Sequence, residues 1–293
     1  MPQERPGCYS PSAPSAAARP RPAGDAPYRV LSLFAGIGGF DLGLERAGGF
    51  KTIALCEIDP FCQQVLRKHW PDARHRGDVL MCIFERGEAD VIVGGFTCQD
   101  ISLAGRGAGI TGSRSGLWRE LLRAIRLVRP RYAIVENVAA LLGRGMGDVL
   151  GDLAAVGYDA EWHCVPTGYA FGHERERVFI IAHPDSEGLA RSGQSGEAVE
   201  QARQAVAREL AATCFCRPGP PPELVRNVRG IPNRMDRIRA LGNAVVPQAV
   251  EAIGRGLLAQ AGETGGGDAP SRLRAQHEHA VAEGHAPLPN PRP

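Results

Sequence analysis

The sequence of 293 residues contains no apolar run close to the roughly 20 residues that a membrane-spanning helix needs. Its N-terminus also lacks the continuous apolar segment of a secretory signal. Hydrophobic residues nevertheless make up 43% of the chain, which is ample for a buried core. We therefore expect a soluble, cytoplasmic globular protein that does not contact a membrane.

Cysteine pairs with the C-x-x-C spacing are absent, although the chain has 8 cysteines. The spacings therefore indicate neither a disulfide framework nor a repeated zinc pattern. Cys214 and Cys216 are the only close pair. An incidental loop pair is the simpler interpretation of these two residues, and we predict no metal site.

Lysine is also scarce, because Lys51 and Lys68 are the only lysines among 34 basic residues. Arginine forks suit phosphates and guanine edges, so the bias is compatible with a nucleic-acid partner. Genome composition explains the same bias equally well. The net charge of +2 does not by itself require such a partner.

Short β-rich runs alternate with helical stretches along the middle of the chain. The sequence shows no internal repeat. We predict helices around 40–47, 60–69, 115–129, 146–156 and 244–260. The predicted strands are Val30–Phe34, Thr52–Glu57, Val91–Gly94, Tyr132–Glu136, Asp159–Val165 and Val178–Ala182. Strand and helix in alternation predict an α/β fold with a doubly wound, mostly parallel sheet.

Composition divides the chain into five segments. Residues 1–27 and 262–293 lack apolar periodicity and are predicted to be a disordered leader and tail. Residues 28–184 form the predicted catalytic and cofactor-binding domain. Residues 185–233 are rich in Gly, Ser, Gln and Arg and predict a small separate lobe, after which 234–261 return to the main domain.

Three features suggest a nucleotide cofactor, and two of them lie at the ends of predicted strands. The first strand ends in a glycine-rich turn, Phe-Ala-Gly-Ile-Gly-Gly at 34–39, which lets the backbone approach a nucleotide, although a plain tight turn is the alternative. Glu57 ends the second strand about 20 residues later, where a carboxylate can accept both ribose hydroxyls. Asp78 can accept the adenine amino group or simply cap a helix. These features do not separate NAD from S-adenosylmethionine.

Three further strand ends carry reactive groups. Cys98 lies in Gly-Gly-Phe-Thr-Cys-Gln-Asp directly after a strand, where an α/β sheet places a nucleophile. A lone cysteine is more often buried, but polar and glycine neighbours argue for exposure here. Glu136 ends another strand on the same edge, with a solvated or capping role as the alternative. Arg175 and Arg177 share one face by their period of two, unless they are merely a solvated strand entry.

Taken in order, these segments resemble the cytosine-5 DNA methyltransferase family of bacteria and phages, from Leu31 to Gln248. Ser32, Thr97 and His173 stand where the family usually has Asp, Pro and Gln. The matching motifs are the glycine turn, the nucleophile loop at 94–99, the glutamate motif Glu-Asn-Val at 136–138, the arginine block at 173–177 and the closing motif Leu-Gly-Asn-Ala-Val-Val-Pro-Gln at 241–248.

The resemblance implies a Rossmann-like methyltransferase fold, S-adenosyl-L-methionine as cofactor and double-stranded DNA as partner, with the target base flipped out of the duplex. Cys98, Glu136, Arg175 and Arg177 would surround the cytosine as catalytic residues. We expect a monomer, and it stays open whether a cognate restriction endonuclease accompanies it. The cofactor pocket would be lined by Phe34, Gly36, Gly38, Glu57, Ile58, Asp78, Val79, Gly95, Leu117, Asn243 and Val245.

Two other functions remain open at this point. A transfer-RNA cytosine-5 methyltransferase would use the same motifs, and the short 185–233 segment, which in this family reads the DNA sequence, fits that alternative. A catalytically silent DNA-binding homologue would keep the fold without turnover. A nicotinamide oxidoreductase is disfavoured because it explains neither Cys98 nor Glu136 nor the arginine pair.

Overall fold

The computed structural model describes the chain in five segments, residues 26–96, 116–166, 176–185, 204–211 and 233–260. All of them belong to one unit, Met1–Ala261. Within these segments we find no helix with the length and apolar character required to cross a membrane. Cys98, Arg175, the predicted tail and most of the predicted leader lie outside the described residues.

One sheet of seven strands has the order β3-β2-β1-β4-β5-β7-β6. Strands β1 to β5 run parallel to one another, whereas β7 is antiparallel to both β5 and β6. The prediction of a doubly wound, mostly parallel sheet is therefore confirmed. The strands are β1 Tyr28–Leu33, β2 Phe50–Cys56, β3 Arg74–Arg76, β4 Val91–Gly95, β5 Tyr132–Val138, β6 Tyr158–Pro166 and β7 Glu176–Pro184.

The central strands are apolar because helices cover both faces of the sheet, so neither face needs polar side chains. On one face α3 and α4 pack over β1, β4 and β5. On the other face α1 and α7 pack over the same strands. The helices are α1 Gly39–Ala47, α2 Pro60–His69, α3 Gly116–Val128, α4 Met146–Ala155, α5 at 204–211, α6 Arg234–Asn243 and α7 Pro247–Gln260.

Two elements differ from the predictions. The single helix expected at 244–260 is α7 alone, preceded by a separate helix α6. Proline at 247 disfavours helical backbone at the residue before it, so the chain is extended between the two helices. Strand β3 was not predicted, since three residues, Arg-His-Arg, are too few to show a period of two.

Helix α5 lies within the segment 185–233 that the composition assigns to a separate lobe. Its Val206 and Leu210 are buried in the same core cluster as α1 and α7. An added Cβ at Gly256 of α7 would lie 2.6 Å from the Val206 Cα, so the two helices are in close contact. The remainder of the segment lies outside the described residues, and the lobe itself stays a prediction.

Candidate functional site

A cavity of about 540 Å³ opens at the carboxyl ends of the parallel strands. The ends of β1, β2, β4 and β5 form its floor, and the segment between α6 and α7 forms one wall. Parallel sheets commonly bind ligands at this edge, because helices begin there and the strand ends diverge. The residues that line the cavity include every predicted cofactor residue except Gly38.

Glu57 links the glycine turn to the end of β2. Its Oε2 accepts a hydrogen bond from the Gly36 amide at 2.7 Å, and its Oε1 accepts one from the Asp59 amide at 2.7 Å. These contacts hold the carboxylate at the cavity wall. Each oxygen has a second lone pair, so Glu57 can still accept from ligand hydroxyls.

Phe34 starts the turn with φ at 54°, in the left-handed region. This conformation costs a non-glycine residue roughly 1 kcal/mol, and residues held in this way often lie at ligand sites. Gly38 also has a positive φ, 85°, but an added Cβ there would meet the Trp70 ring at 2.3 Å. The sequence placed Gly38 at the cofactor, whereas in the structure it packs against α2.

Asp78 lines the cavity and caps the short 3₁₀ helix Val79–Met81. Its Oδ1 accepts a hydrogen bond from the Leu80 amide at 2.9 Å. The capping role that the sequence left as an alternative is therefore present. The capping hydrogen bond uses only Oδ1, so Asp78 can still accept a hydrogen bond from a ligand amino group.

Glu136 and Arg177 form an ion pair in the cavity, with Arg177 Nε 2.7 Å from Glu136 Oε1. Their side chains are 11% and 20% exposed, so the pair is largely shielded from water. Glu136 is opposite Gly95 in the β4–β5 ladder. An added Cβ at Gly95 would lie 3.0 Å from Glu136 Oε2, so a side chain there would press on this carboxylate.

Asn137, which sequence reasoning did not single out, is 2% exposed and connects β5 to the end of β4. Its Nδ2 donates to the Phe96 carbonyl at 3.2 Å, and its Oδ1 accepts from the Val138 amide at 2.8 Å. Phe96 is the last described residue before Cys98. Asn137 therefore fixes the backbone from which the cysteine loop leaves the sheet.

The segment between α6 and α7 rests on the glycine turn. An added Cβ at Gly39 would lie 2.4 Å from the Val245 carbonyl oxygen, so the two backbones are in close contact. Arg239 of α6 pairs with Asp59 at 2.5 Å on the other side of the cavity. The backbone amide of Cys62 lowers the pKa of Asp59, as does the Arg239 charge. The ion pair was not predicted, since 180 residues separate its partners.

A buried carboxylate lies beneath the same turn. Asp41 in the first turn of α1 accepts hydrogen bonds from the hydroxyls of Ser32 on β1 and Thr52 on β2, each at 3.0 Å. Burial raises the pKa of Asp41 to about 6. Three elements that end at the cavity are thus joined through one side chain, and Ser32 is one of the residues that depart from the family pattern.

Comparison with known proteins agrees with this architecture. Residues 28–213 match the model of the family described as C-5 cytosine-specific DNA methylase. The chain belongs to this family. The described parts of the site lie in the matched region, apart from the α6–α7 segment.

Relatives within the family include bacterial type II methyltransferases. The chain is 36% identical over 163 residues to M2.BsuMI of Bacillus subtilis, a match covering 53% of this chain and 41% of that protein. It is 31% identical over 178 residues to M.AquIA of Picosynechococcus sp., covering 53% and 71%. The chain thus spans less than half the length of the first relative.

The fold also matches a solved structure, that of a candidate DNA modification methyltransferase encoded within an Escherichia coli prophage. The TM-score is 0.54 at 17% identity, covering 80% of this chain and 100% of the other. At this identity the match shows the shared fold alone. It supports the Rossmann-like methyltransferase architecture that the sequence predicted.

Proposed function

We propose that this C-5 cytosine-specific DNA methylase family member transfers a methyl group from S-adenosylmethionine to carbon 5 of cytosine in double-stranded DNA. The observation that carries the proposal is the shielded Glu136–Arg177 pair beside the strand end that leads to Cys98. The polar edge of a cytosine offers two acceptors, ring nitrogen 3 and the exocyclic oxygen, and one donor, the exocyclic amino group. A carboxyl group and a guanidinium together can form hydrogen bonds with all three.

The cavity fits the proposed cofactor. Its walls offer carboxylates for hydroxyl and amino groups at Glu57 and Asp78, and apolar surface at Phe34, Val79 and Leu117 for a flat base. A volume of about 540 Å³ is in the range of small-molecule sites. When bound, S-adenosylmethionine supplies an electrophilic methyl group. We propose that Glu57 holds its ribose and Asp78 its adenine amino group.

Carbon 5 of cytosine is too weak a nucleophile to be methylated unaided. In the proposed mechanism the Cys98 thiolate attacks carbon 6, while Glu136 supports proton transfer at ring nitrogen 3. The resulting enamine makes carbon 5 nucleophilic. After methylation a base removes the carbon 5 proton, and the cysteine leaves as a thiolate.

Arg177 would bind the exocyclic oxygen of the cytosine. A guanidinium has five N–H donors, so Arg177 can bind this oxygen while its Nε stays paired with Glu136. Arg175, two residues earlier, would face the same base. None of these contacts is possible in stacked DNA, so the base must be flipped into the site at a cost of a few kcal/mol.

The proposal is tested with duplex DNA that carries 5-fluorocytosine at the target position. Fluorine at carbon 5 cannot be removed as a proton, so the methylated adduct with Cys98 should persist. We expect a species whose mass equals protein plus methylated oligonucleotide, absent in Cys98→Ala and retained in Cys164→Ser, which alters an exposed cysteine on β6. Glu136→Gln should slow adduct formation by about 10²–10⁴-fold.

Three results would contradict the proposal. An adduct that still forms in Cys98→Ala would remove Cys98 as nucleophile. Cofactor and DNA binding without any adduct in the parent protein would indicate a silent DNA-binding homologue. Methyl incorporation into transfer RNA but not duplex DNA would replace the substrate, and bisulfite sequencing of DNA from an expressing host would identify the methylated site.

A further inference from the structure

Two cysteines that the proposed mechanism does not use are in contact beside the cavity. The Sγ atoms of Cys56 and Cys82 are 3.5 Å apart. Cys56 is the last residue of β2, is buried and lines the cavity. Cys82 follows the 3₁₀ helix Val79–Met81 and is half-buried. One thiol is therefore accessible from outside, and the other lies at the cavity wall.

In the reduced protein, hydrogen bonds order the backbone on both sides of this contact. Cys56 lies in the ladder between β1 and β3. The Cys82 amide donates to the Val79 carbonyl at 3.1 Å. The Cys82 carbonyl accepts from Nη1 and Nη2 of Arg123 on α3, both at 3.2 Å. The thiols are thus held in contact in the reduced protein, and the two segments that carry them have to approach each other for the sulfurs to move from 3.5 Å to the roughly 2.05 Å of a disulfide bond.

We propose that Cys56 and Cys82 are a reversible oxidation site, at which a disulfide forms with a small disulfide or another two-electron thiol oxidant and weakens cofactor binding. This inference rests on the proposed function, because it takes the cavity to be the cofactor site. A reducing cytoplasm keeps such thiols reduced, so the bond would form only when the compartment becomes oxidising.

With a small disulfide as oxidant the electrons balance. The Cys82 thiolate attacks one sulfur of the reagent and expels one thiolate, leaving a mixed disulfide. Cys56 then gives its proton to the expelled thiolate and attacks the Cys82 sulfur. This releases the second reagent thiolate, which takes up from solvent the proton that Cys82 had lost. Two protein thiols are oxidised and one reagent disulfide is reduced. Burial raises the pKa of Cys56, so the half-buried Cys82 attacks first.

The effect on the cofactor follows from the neighbours of each thiol. Cys82 Sγ donates to the Asp78 carbonyl at 3.4 Å, and Cys56 directly precedes Glu57. A disulfide removes this S–H donor and ties the turn that carries Asp78 to the strand that ends at Glu57. The two carboxylates proposed to hold the adenosine then change their separation, and the cofactor loses part of its polar contacts.

The test uses the full chain in a Cys98→Ala background, so that oxidation of the nucleophile does not affect the result. The protein is treated with the thiol oxidant diamide, which takes up both hydrogens as the thiols join. Non-reducing digestion and mass spectrometry locate the bond, and calorimetry gives the Kd for S-adenosylmethionine. We expect a Cys56–Cys82 linkage and about a tenfold higher Kd, restored by dithiothreitol.

Two further variants define the outcome. Cys82→Ser should abolish the oxidation-dependent change in Kd. Cys62→Ser, which alters another buried cysteine at the cavity, should retain it. The inference is overturned if diamide does not link Cys56 to Cys82, or if the linkage leaves Kd unchanged. If the reduced protein does not bind S-adenosylmethionine, the proposed function is contradicted. The proposed effect of the disulfide on cofactor binding is then contradicted as well.

Discussion

Substitution of Asp41 by Asn probes the buried carboxylate beneath the glycine turn. Asp41 is fully buried and accepts the hydroxyls of Ser32 and Thr52. Asparagine has nearly the same shape and keeps one acceptor oxygen, so the hydrogen bonds can largely be rebuilt. The change therefore removes a titratable group with little disturbance of packing.

The magnitude follows from the pKa of Asp41. Burial raises it from 3.8 to about 6, and the Glu45 charge contributes in the same direction. Between these pH values the folded chain holds a proton that the unfolded chain has released, so stability contributed by this group is full below pH 3.8 and is lost as the pH rises through about 6. At about 1.36 kcal/mol per pH unit, the loss is roughly 3 kcal/mol.

Urea unfolding at a series of pH values from about 4 to 7.5 measures this effect. The difference in free energy of unfolding between the parent protein and Asp41→Asn should decrease by roughly 2.5 kcal/mol across that range, because the carboxyl of the unfolded chain is already more than half ionised at pH 4. Asp148→Asn, which alters an exposed carboxylate in α4, is the matched control. A constant difference for Asp41→Asn would show that this carboxyl does not titrate as argued.

Two other substitutions test the cavity walls. Glu57→Ala should weaken S-adenosylmethionine binding by about tenfold or more, because a charged acceptor is lost, and unchanged affinity in calorimetry would remove Glu57 from the site. Gly39→Ala puts a Cβ 2.4 Å from the Val245 carbonyl oxygen and should cost roughly 1–3 kcal/mol of stability. Gly147→Ala, with no atom within 4 Å of the new Cβ, is the control, and equal melting temperatures for both variants would contradict this contact.

The sequence predicted the strands apart from β3, the helices apart from α5 and α6, and the shared edge, because buried parallel strands are continuous apolar runs with distinct ends. Glu57 and Glu136 therefore line the cavity where predicted strand ends placed them, and Asp78, which follows the unpredicted strand β3, lines it as well. Gly38 shows the limit of this reasoning. A glycine pattern identifies a turn, but not which of its glycines faces a ligand and which makes room for Trp70.

The sequence did not predict side-chain contacts between segments that are far apart along the chain. Asn137 belongs to the Glu-Asn-Val motif, but the motif did not indicate its hydrogen bond to the Phe96 carbonyl at the end of β4. Nothing in the sequence distinguished Arg239 from the other arginines. Its pairing with Asp59 depends on α6 lying across the cavity, which no local pattern specifies.

Arg177 lies at the start of its strand, whereas the other residues of the site lie at or after the ends of theirs. The direction of β7 explains how Arg177 nevertheless reaches the site. In a wholly parallel sheet, Arg177 at the start of β7 would lie at the amino edge, far from Glu136. Because β7 is antiparallel to β5, its first residues lie at the carboxyl edge, where Val138 pairs with Arg177 and Glu136 with Phe179. The Glu136–Arg177 contact at 2.7 Å thus requires one reversed strand. The antiparallel strand thus brings Arg177, the cationic half of the proposed cytosine site, to the edge at which β4 and β5 end.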